Sequence, residues 1–122
     1  MPRIVHFELP VDDPDRAIKF YQDVFGWTID KWEGQEDYWL VTTGPDEEPG
    51  INGALFRRPN PQTCTQNSVD VSSVDESVAK VEASGGSVAI PKVEIPGVGF
   101  VAYCQDTEGN LFGVFEGGPQ PE

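Results

Sequence analysis

The sequence has 122 residues and a formal net charge of −13, from 21 acidic and eight basic residues. Nucleic acids and anionic membranes are bound by basic surfaces, so this composition excludes both as expected partners. The length suits one domain over residues 1–122, and seven Phe, three Trp and three Tyr supply a core. The acid excess is typical of an ordinary acidic bacterial protein and also of a salt-rich cytoplasm. If molar NaCl left the melting temperature unchanged, adaptation to a salt-rich cytoplasm would be excluded as the cause of the acid excess.

The beginning of the chain lacks the apolar segment of a secretory signal, and no apolar run is long enough to span a membrane. We therefore expect a cytoplasmic protein. Cys64 and Cys104 do not form a CxxC motif, and two cysteines are too few for a disulfide framework. We interpret both thiols as structural or incidental.

The chain opens with a predicted strand over residues 4–9. Alternation along this strand places His6 and Glu8 on one face and Val5, Phe7 and Leu9 on the other. Two polar side chains therefore share a face, while the apolar residues between them face a core.

A helix is predicted directly after this strand. Asp13 can cap its first turn, Pro14 suits the first helical position, and Gly26 is expected to end it. Helical spacing predicts one buried stripe made of Ala17, Phe20, Tyr21, Val24 and Phe25.

The remaining chain repeats this order of elements. Strands are predicted over 27–32, 38–43 and 51–57, with an acidic loop at 44–50. The pattern then restarts with a strand over 67–71, a helix opened by the capping box Ser73–Glu76, and strands over 87–93, 100–105 and 111–116. We therefore place module one at about 3–57, a linker at 58–65, module two at about 66–116 and a tail at 117–122.

The two halves align at a constant offset of 60 positions, which pairs Asp15 with Asp75 and Gly53 with Gly113. Internal duplication explains this offset. The sequence thus predicts an α+β fold of two tandem βαβββ modules related by a pseudo-twofold axis. We expect them to form a curved mixed sheet, whose uncovered faces make a cup.

The repeat also predicts which residues line the cup. Convergent polar groups on a mostly apolar surface are typical of small-molecule sites, and glycines there leave room for a ligand. The expected ligand-binding residues are His6, Glu8, Gly53, Leu55, Gln66, Ser68, Gly113 and Phe115. Four aromatic residues near the first module's strands could form an aromatic wall for a ligand, but we expect most of them to pack in the core or in the contact between the modules: Trp27, Trp32, Tyr38 and Trp39.

Several segments resemble the vicinal oxygen chelate superfamily. They are the strand 5–8 before Asp13-Pro14, the Phe20-Tyr21 and Phe25-Gly26 pairs, and the 106–110 loop with the strand after it. That superfamily includes glyoxalase I, extradiol dioxygenases, fosfomycin-resistance enzymes and bleomycin-binding proteins. The resemblance implies a βαβββ fold, small-molecule binding and a common tendency to form homodimers.

The resemblance implies metal ligands at four positions, which here hold His6, Gln66, Gly53 and Gly113. Only His6 is a good metal ligand. The chain has a single histidine, so it cannot assemble the two-histidine, one-carboxylate site of an extradiol dioxygenase. Glu8 and Gln66 could complete a weak divalent-metal site with His6, whereas alternation places Glu116 on the opposite face of its strand.

Two functions stay open at this point. The first is a metal-free protein that binds a small molecule in the cup. The second is a glyoxalase-like lyase, isomerase or hydrolase, metal-dependent or metal-free, that uses Glu8 as general base with His6 as the next candidate. A regulatory or partner subunit without chemistry is a third, weaker reading. His6 also has a simpler interpretation as a hydrogen-bonded core residue.

Overall fold

A computed structural model describes residues 2–34 and 37–117, so most of the predicted tail lies outside the described residues. The helices are α1 (Pro14–Phe25) and α2 (Val74–Ala83). The strands are β1 (Arg3–Val11), β2 (Thr28–Lys31), β3 (Tyr38–Thr42), β4 (Asn52–Arg57), β5 (Gln66–Asp70), β6 (Ser87–Ile95), β7 (Gly99–Gln105) and β8 (Leu111–Gly117). Neither helix is long and apolar enough to cross a membrane.

The described residues form two compact units, one within residues 6–65 and one made of residues 2–5 and 66–117. In the 6–65 unit the strands lie in the order β2-β3-β4-β1. β1 and β4 are parallel, whereas β3 is antiparallel to both β2 and β4. α1 covers one face of this mixed sheet, and the core beneath it consists of Val11, Ile29, Trp39, Val41 and Leu55.

The ends of α1 follow the sequence prediction. The Asp13 carboxylate accepts a hydrogen bond from the Arg16 amide at 3.2 Å, which satisfies one of the unpaired donors of the first turn. Gly26 ends the helix in the left-handed region, at φ 71°, where a side chain would be strained.

The unit that contains residues 66–117 repeats the same plan. Its strands lie in the order β5-β8-β7-β6, with β5 parallel to β8 and the other neighbours antiparallel. Ser73 caps α2 by accepting a hydrogen bond from the Glu76 amide at 3.1 Å. The core under α2 consists of Val71, Val74, Ala102, Cys104 and Val114. The predicted α+β fold of two βαβββ modules with mixed sheets is therefore confirmed.

Strand register corrects one part of the predicted site. Gly53 and Leu55 lie beside Phe7 and Leu9, so they share the helix-covered face rather than the face of His6. Leu55 is fully buried in the core, and a Cβ on Gly53 would lie 2.4 Å from the Phe7 carbonyl oxygen. Placing these two residues in the cup was wrong.

The physical reason is that the spacing along the chain between the first and last strands differs by one residue between the two modules. Glu8 lies beside Ala54, 46 positions later, whereas Ser68 lies beside Gly113, 45 positions later. The offset of 60 therefore holds for the first strands and becomes 59 for the last strands. Because successive strand residues face opposite sides, a shift of one position exchanges the two faces.

The predicted apolar stripe of α1 is only partly buried. Ala17 and Tyr21 pack against the core, together with Ile18, which the prediction omitted. Phe20, Val24 and Phe25 are 57%, 53% and 60% exposed. The buried face is centred closer to Ile18 and Tyr21 than the spacing indicated, which leaves Phe20 and Val24 on the flank of the helix.

We expect Leu55→Ala to lower the free energy of unfolding by about 2–5 kcal/mol, because it opens a cavity in the core. Leu40 is a matched control, since it belongs to a neighbouring strand but is 43% exposed. Leu40→Ala should cost about 1 kcal/mol or less. Urea denaturation measures both values. Equal losses would contradict the assignment of Leu55 to the core.

Candidate functional site

The face of the 6–65 sheet opposite α1 carries the polar residues of the first strand. The register places His6 beside Asn52 and Glu8 beside Ala54, and Ala54 also lies beside Leu40 of β3. Tyr38, two residues before Leu40, has the same orientation. We call this surface the open face, defined by His6, Glu8, Tyr38, Leu40, Asn52 and Ala54.

Three side chains on the open face form a hydrogen-bonded chain. The Tyr38 hydroxyl donates to Glu8 Oε2 at 2.8 Å and lies 2.9 Å from His6 Nε2. Because the hydroxyl hydrogen is used by Glu8, the Tyr38 oxygen accepts from His6 Nε2–H. In neutral His6 the Nδ1 atom is therefore the acceptor.

Burial sets the charge of this group. Burial lowers the pKa of His6 below its usual value of 6.5, and the nearby Glu8 carboxylate opposes only part of that shift. His6 is thus neutral at pH 7. Glu8 is only 6% exposed, so its side chain lies in surroundings where a charge-assisted hydrogen bond counts for more than in water.

Sequence reasoning missed the polar role of the Tyr38 hydroxyl group. Trp39 lies in the core and Trp27 packs against it, as predicted. Trp32 instead contacts the edge of the Tyr38 ring, with centroids 5.8 Å apart, and Tyr38 belongs to the polar chain. Alternation along residues 38–41 could have shown that Tyr38 and Trp39 lie on opposite faces of the strand. Only the pairing with β4 shows which of the two shares a face with Glu8.

The 66–117 unit has its own open face, opposite its α2-covered core. Ser68 lies beside Gly113, which lies beside Tyr103 on the other side. Ser68 is 6% exposed, and a Cβ on Gly113 would lie 2.9 Å from its hydroxyl oxygen. Gln66 and Phe115 have the same orientation by alternation. These four predicted residues share one face of their unit, and their ligand contacts stay a prediction.

Comparisons with known proteins bear on the fold and the family. A family model described as Bleomycin resistance protein-like N-terminal matches residues 3–44. The glyoxylase-like protein CFP32 of Mycobacterium bovis is 32% identical over 117 residues, which is 93% of this chain. The same identity and coverage hold for CFP32 of Mycobacterium tuberculosis. The chain spans only 43% of the length of these curated relatives.

Solved structures share the fold at low sequence identity. Methylmalonyl-CoA epimerase from Mycobacterium tuberculosis has a TM-score of 0.72 and 16% identity, covering 95% of this chain and 88% of that one. A Streptomyces coelicolor methylmalonyl-CoA epimerase variant in complex with 2-nitronate-propionyl-CoA has a TM-score of 0.74 and 13% identity, covering 100% and 99%. The 2,3-dioxygenase LapB from Pseudomonas sp. KL28 has a TM-score of 0.69 and 19% identity, covering 99% and 44%.

The family model, the glyoxylase-like relatives and the shared fold together indicate the vicinal oxygen chelate superfamily. The resemblance drawn from residues 5–8 and 106–110 is therefore confirmed. The superfamily includes metal enzymes, so the residues of this chain must be tested against a metal site.

The donor residues do not fit a resident metal of the glyoxalase type. Within the described ranges, no group of three or more His, Cys, Asp or Glu side chains is placed to hold an ion. His6 and Glu8 supply two donors, whereas zinc and similar ions take three or four protein ligands. With the observed register, Ala54 rather than Gly53 holds the last-strand position where the resemblance implies a metal ligand. The Ala54 side chain also lacks a donor atom for a metal. Gln66 offers only an amide, which transition metals bind weakly.

Glu116 does not repair the site. Its carboxylate accepts a hydrogen bond from the Val74 amide at 2.9 Å and so stabilises the beginning of α2. The predicted orientation of Glu116, away from the face of Gly113, is confirmed.

The single histidine gives a direct test of the site's electrostatics. We expect the imidazole NMR signals to titrate with a pKa below 6.5, and Glu8→Gln to lower this pKa further, because it removes the charge that favours imidazolium. Between the lowered folded pKa and 6.5 the unfolded state binds more protons. The free energy of unfolding should therefore fall as the pH drops through that window. A pKa above 6.5 would contradict the burial of His6.

Proposed function

We propose that this protein binds a small neutral or cationic organic molecule at its open face, without a resident metal. The observation that carries the proposal is the buried Glu8 carboxylate, oriented by the Tyr38 hydroxyl at 2.8 Å. A carboxylate held in this way is an acceptor for a ligand ammonium, guanidinium or hydroxyl group. Leu40, which is 43% exposed, adds apolar surface on the same face. This combination of apolar area with a few fixed polar groups is typical of small-molecule sites.

The negative charge of this chain disfavours the kind of ligand that appears in the names of its structural neighbours. Methylmalonyl-CoA and 2-nitronate-propionyl-CoA are CoA esters, which carry several negative phosphate charges. This chain has a net charge of −13 and eight basic residues, so its field repels polyanions and attracts cations. The family model that matches residues 3–44 points to bleomycin-resistance proteins, and bleomycin is cationic.

A second candidate function is proton transfer without a metal, as in a lyase or isomerase. Glu8 favours it, because a carboxylate that is 6% exposed and hydrogen-bonded to a hydroxyl group is placed as a general base. Tyr38 and neutral His6 would then orient this base rather than touch the substrate. The two functions share a site and differ in whether a bond of the ligand changes.

For the binding function, we expect cationic and neutral molecules, bleomycin among them, to raise the melting temperature and to bind by calorimetry. Glu8→Gln should weaken binding by about tenfold or more, because hydrogen bonds to charged groups contribute about 1.5–3 kcal/mol. Glu94→Gln is the control, since Glu94 is an exposed acid on β6. Binding that is equally strong in the Glu8 variant would contradict the proposal.

For the enzyme candidate, we expect a bound carbonyl compound to exchange the hydrogen next to its carbonyl group for deuterium in D₂O. Proton NMR follows the loss of that signal. Glu8→Gln should abolish the exchange, and removal of metals with a chelator should leave it unchanged. Exchange that requires added Ni²⁺ or Zn²⁺ would contradict the metal-free mechanism. Ligands that bind without exchange would favour the binding function.

A further inference from the structure

One row of side chains crosses the open face of the 6–65 unit from strand to strand. Glu8 lies beside Ala54, and Ala54 lies beside Leu40. Leu40 in turn lies beside Asp30 of β2. Residues that lie directly beside one another in neighbouring strands point to the same face of the sheet. We call these four residues the cross-strand row, which has a carboxylate at each end and two apolar residues between them.

The two carboxylates of the cross-strand row differ in their surroundings. Glu8 is buried and bound by the Tyr38 hydroxyl, whereas Asp30 is exposed on β2, the strand at the edge of the sheet. Among the residues that the structure describes, none of the ion pairs uses the Asp30 carboxylate. Lys31, the next residue along the chain, lies 3.6 Å from Asp37 instead. Asp30 therefore presents a negative charge to solvent on the same face as Glu8.

The middle of the cross-strand row is apolar. Leu40 is 43% exposed, and Ala54 is buried and has no polar side-chain atom. Neighbouring strands are about 4.8 Å apart, so three steps separate the backbone positions of Glu8 and Asp30 by about 14 Å. A ligand that follows the row therefore meets a negative charge, apolar surface and a second negative charge in that order.

Aromatic side chains border the cross-strand row. Tyr38 comes two residues before Leu40 and Trp32 two residues after Asp30, so both share the face of the row. The Trp32 amide donates a hydrogen bond to the Tyr38 carbonyl oxygen at 2.8 Å, and the two rings meet edge to face with centroids 5.8 Å apart. Aromatic rings bind both apolar groups and cations. This border therefore suits a ligand that carries both.

We propose that the ligand of the open face is a linear organic dication, with one cationic group at Glu8, a second at Asp30 and an apolar spacer over Leu40. This inference rests on the proposed function and narrows its ligand class. An extended eight-carbon chain with a nitrogen at each end covers about 11 Å, and hydrogen bonds to the two carboxylates complete the span. The net charge of −13 attracts a dication more strongly than a monocation.

Calorimetry at low ionic strength with three amines tests the spacing of the two charges. Diaminooctane has both charges at the matching distance, octylamine has the same spacer with one charge, and diaminobutane has both charges on a spacer that is too short. We expect diaminooctane to bind about threefold or more tightly than either of the others, which is the contribution of one exposed ion pair. If diaminooctane binds no more tightly than either one, the inference is overturned and the binding of a single cation at Glu8 still stands. If none of the three binds, the cation site at Glu8 fails as well.

Substitutions at the two ends of the row test where the cations lie. Glu8→Gln should weaken all three amines, because each of them places a cationic group there. Asp30→Asn should remove the preference for diaminooctane over octylamine, whereas Asp30→Glu should keep it because the charge is kept. Asp15→Asn is the matched control, since it removes the same charge from α1 on the other side of the sheet and should leave the preference unchanged. Circular dichroism verifies that the variants fold. A preference for diaminooctane that survives in Asp30→Asn would overturn the placement of the second cation.

Discussion

The parallel register of β1 against β4 decides the organisation of the 6–65 unit. It places Leu9 and Leu55 under α1, and it places Glu8 and Ala54 on the other side of the same sheet. Each side chain on these strands has only two directions available, so one pairing fixes the core and the open face together. The hydrogen-bonded chain of Tyr38 depends on the same constraint, since β3 pairs with β4 in a matching register.

Much of the fold could be predicted from local signals. Asp13, Gly26 and Ser73 mark helix ends through hydrogen bonds and backbone geometry that involve only nearby residues. Alternation also places His6 and Glu8 on one face without knowledge of the neighbouring strands. The wrong assignments concerned residues whose positions depend on distant parts of the chain. Placing Gly53 correctly requires the register between β1 and β4. Placing Phe20 correctly requires knowing which face of α1 contacts the sheet.

The candidate site combines the superfamily fold with last-strand positions that offer no metal donor. Small residues, Ala54 and Gly113, occupy corresponding last-strand positions of the two modules, and neither has a donor atom. The polar group that is present uses a tyrosine hydroxyl to join an imidazole to a carboxylate. Such a group can hold or orient a ligand through hydrogen bonds alone. In the proposed binding function, the strongly acidic composition favours a cationic ligand over an anionic one.

The one-residue difference between the modules limits how the two halves can be exchanged. If the β8 sequence replaced that of β4 at the offset of 60, Phe115 would take the place of Leu55 in the core and Gly113 that of Gly53. An offset of 59 would instead keep core residues in the core, with Val114 at the position of Leu55. Exchanging the last strands of the two modules therefore keeps the core only when their sequences are aligned at an offset of 59 rather than 60. The two modules thus differ in strand phase as well as in residues, so their last strands are not interchangeable position by position.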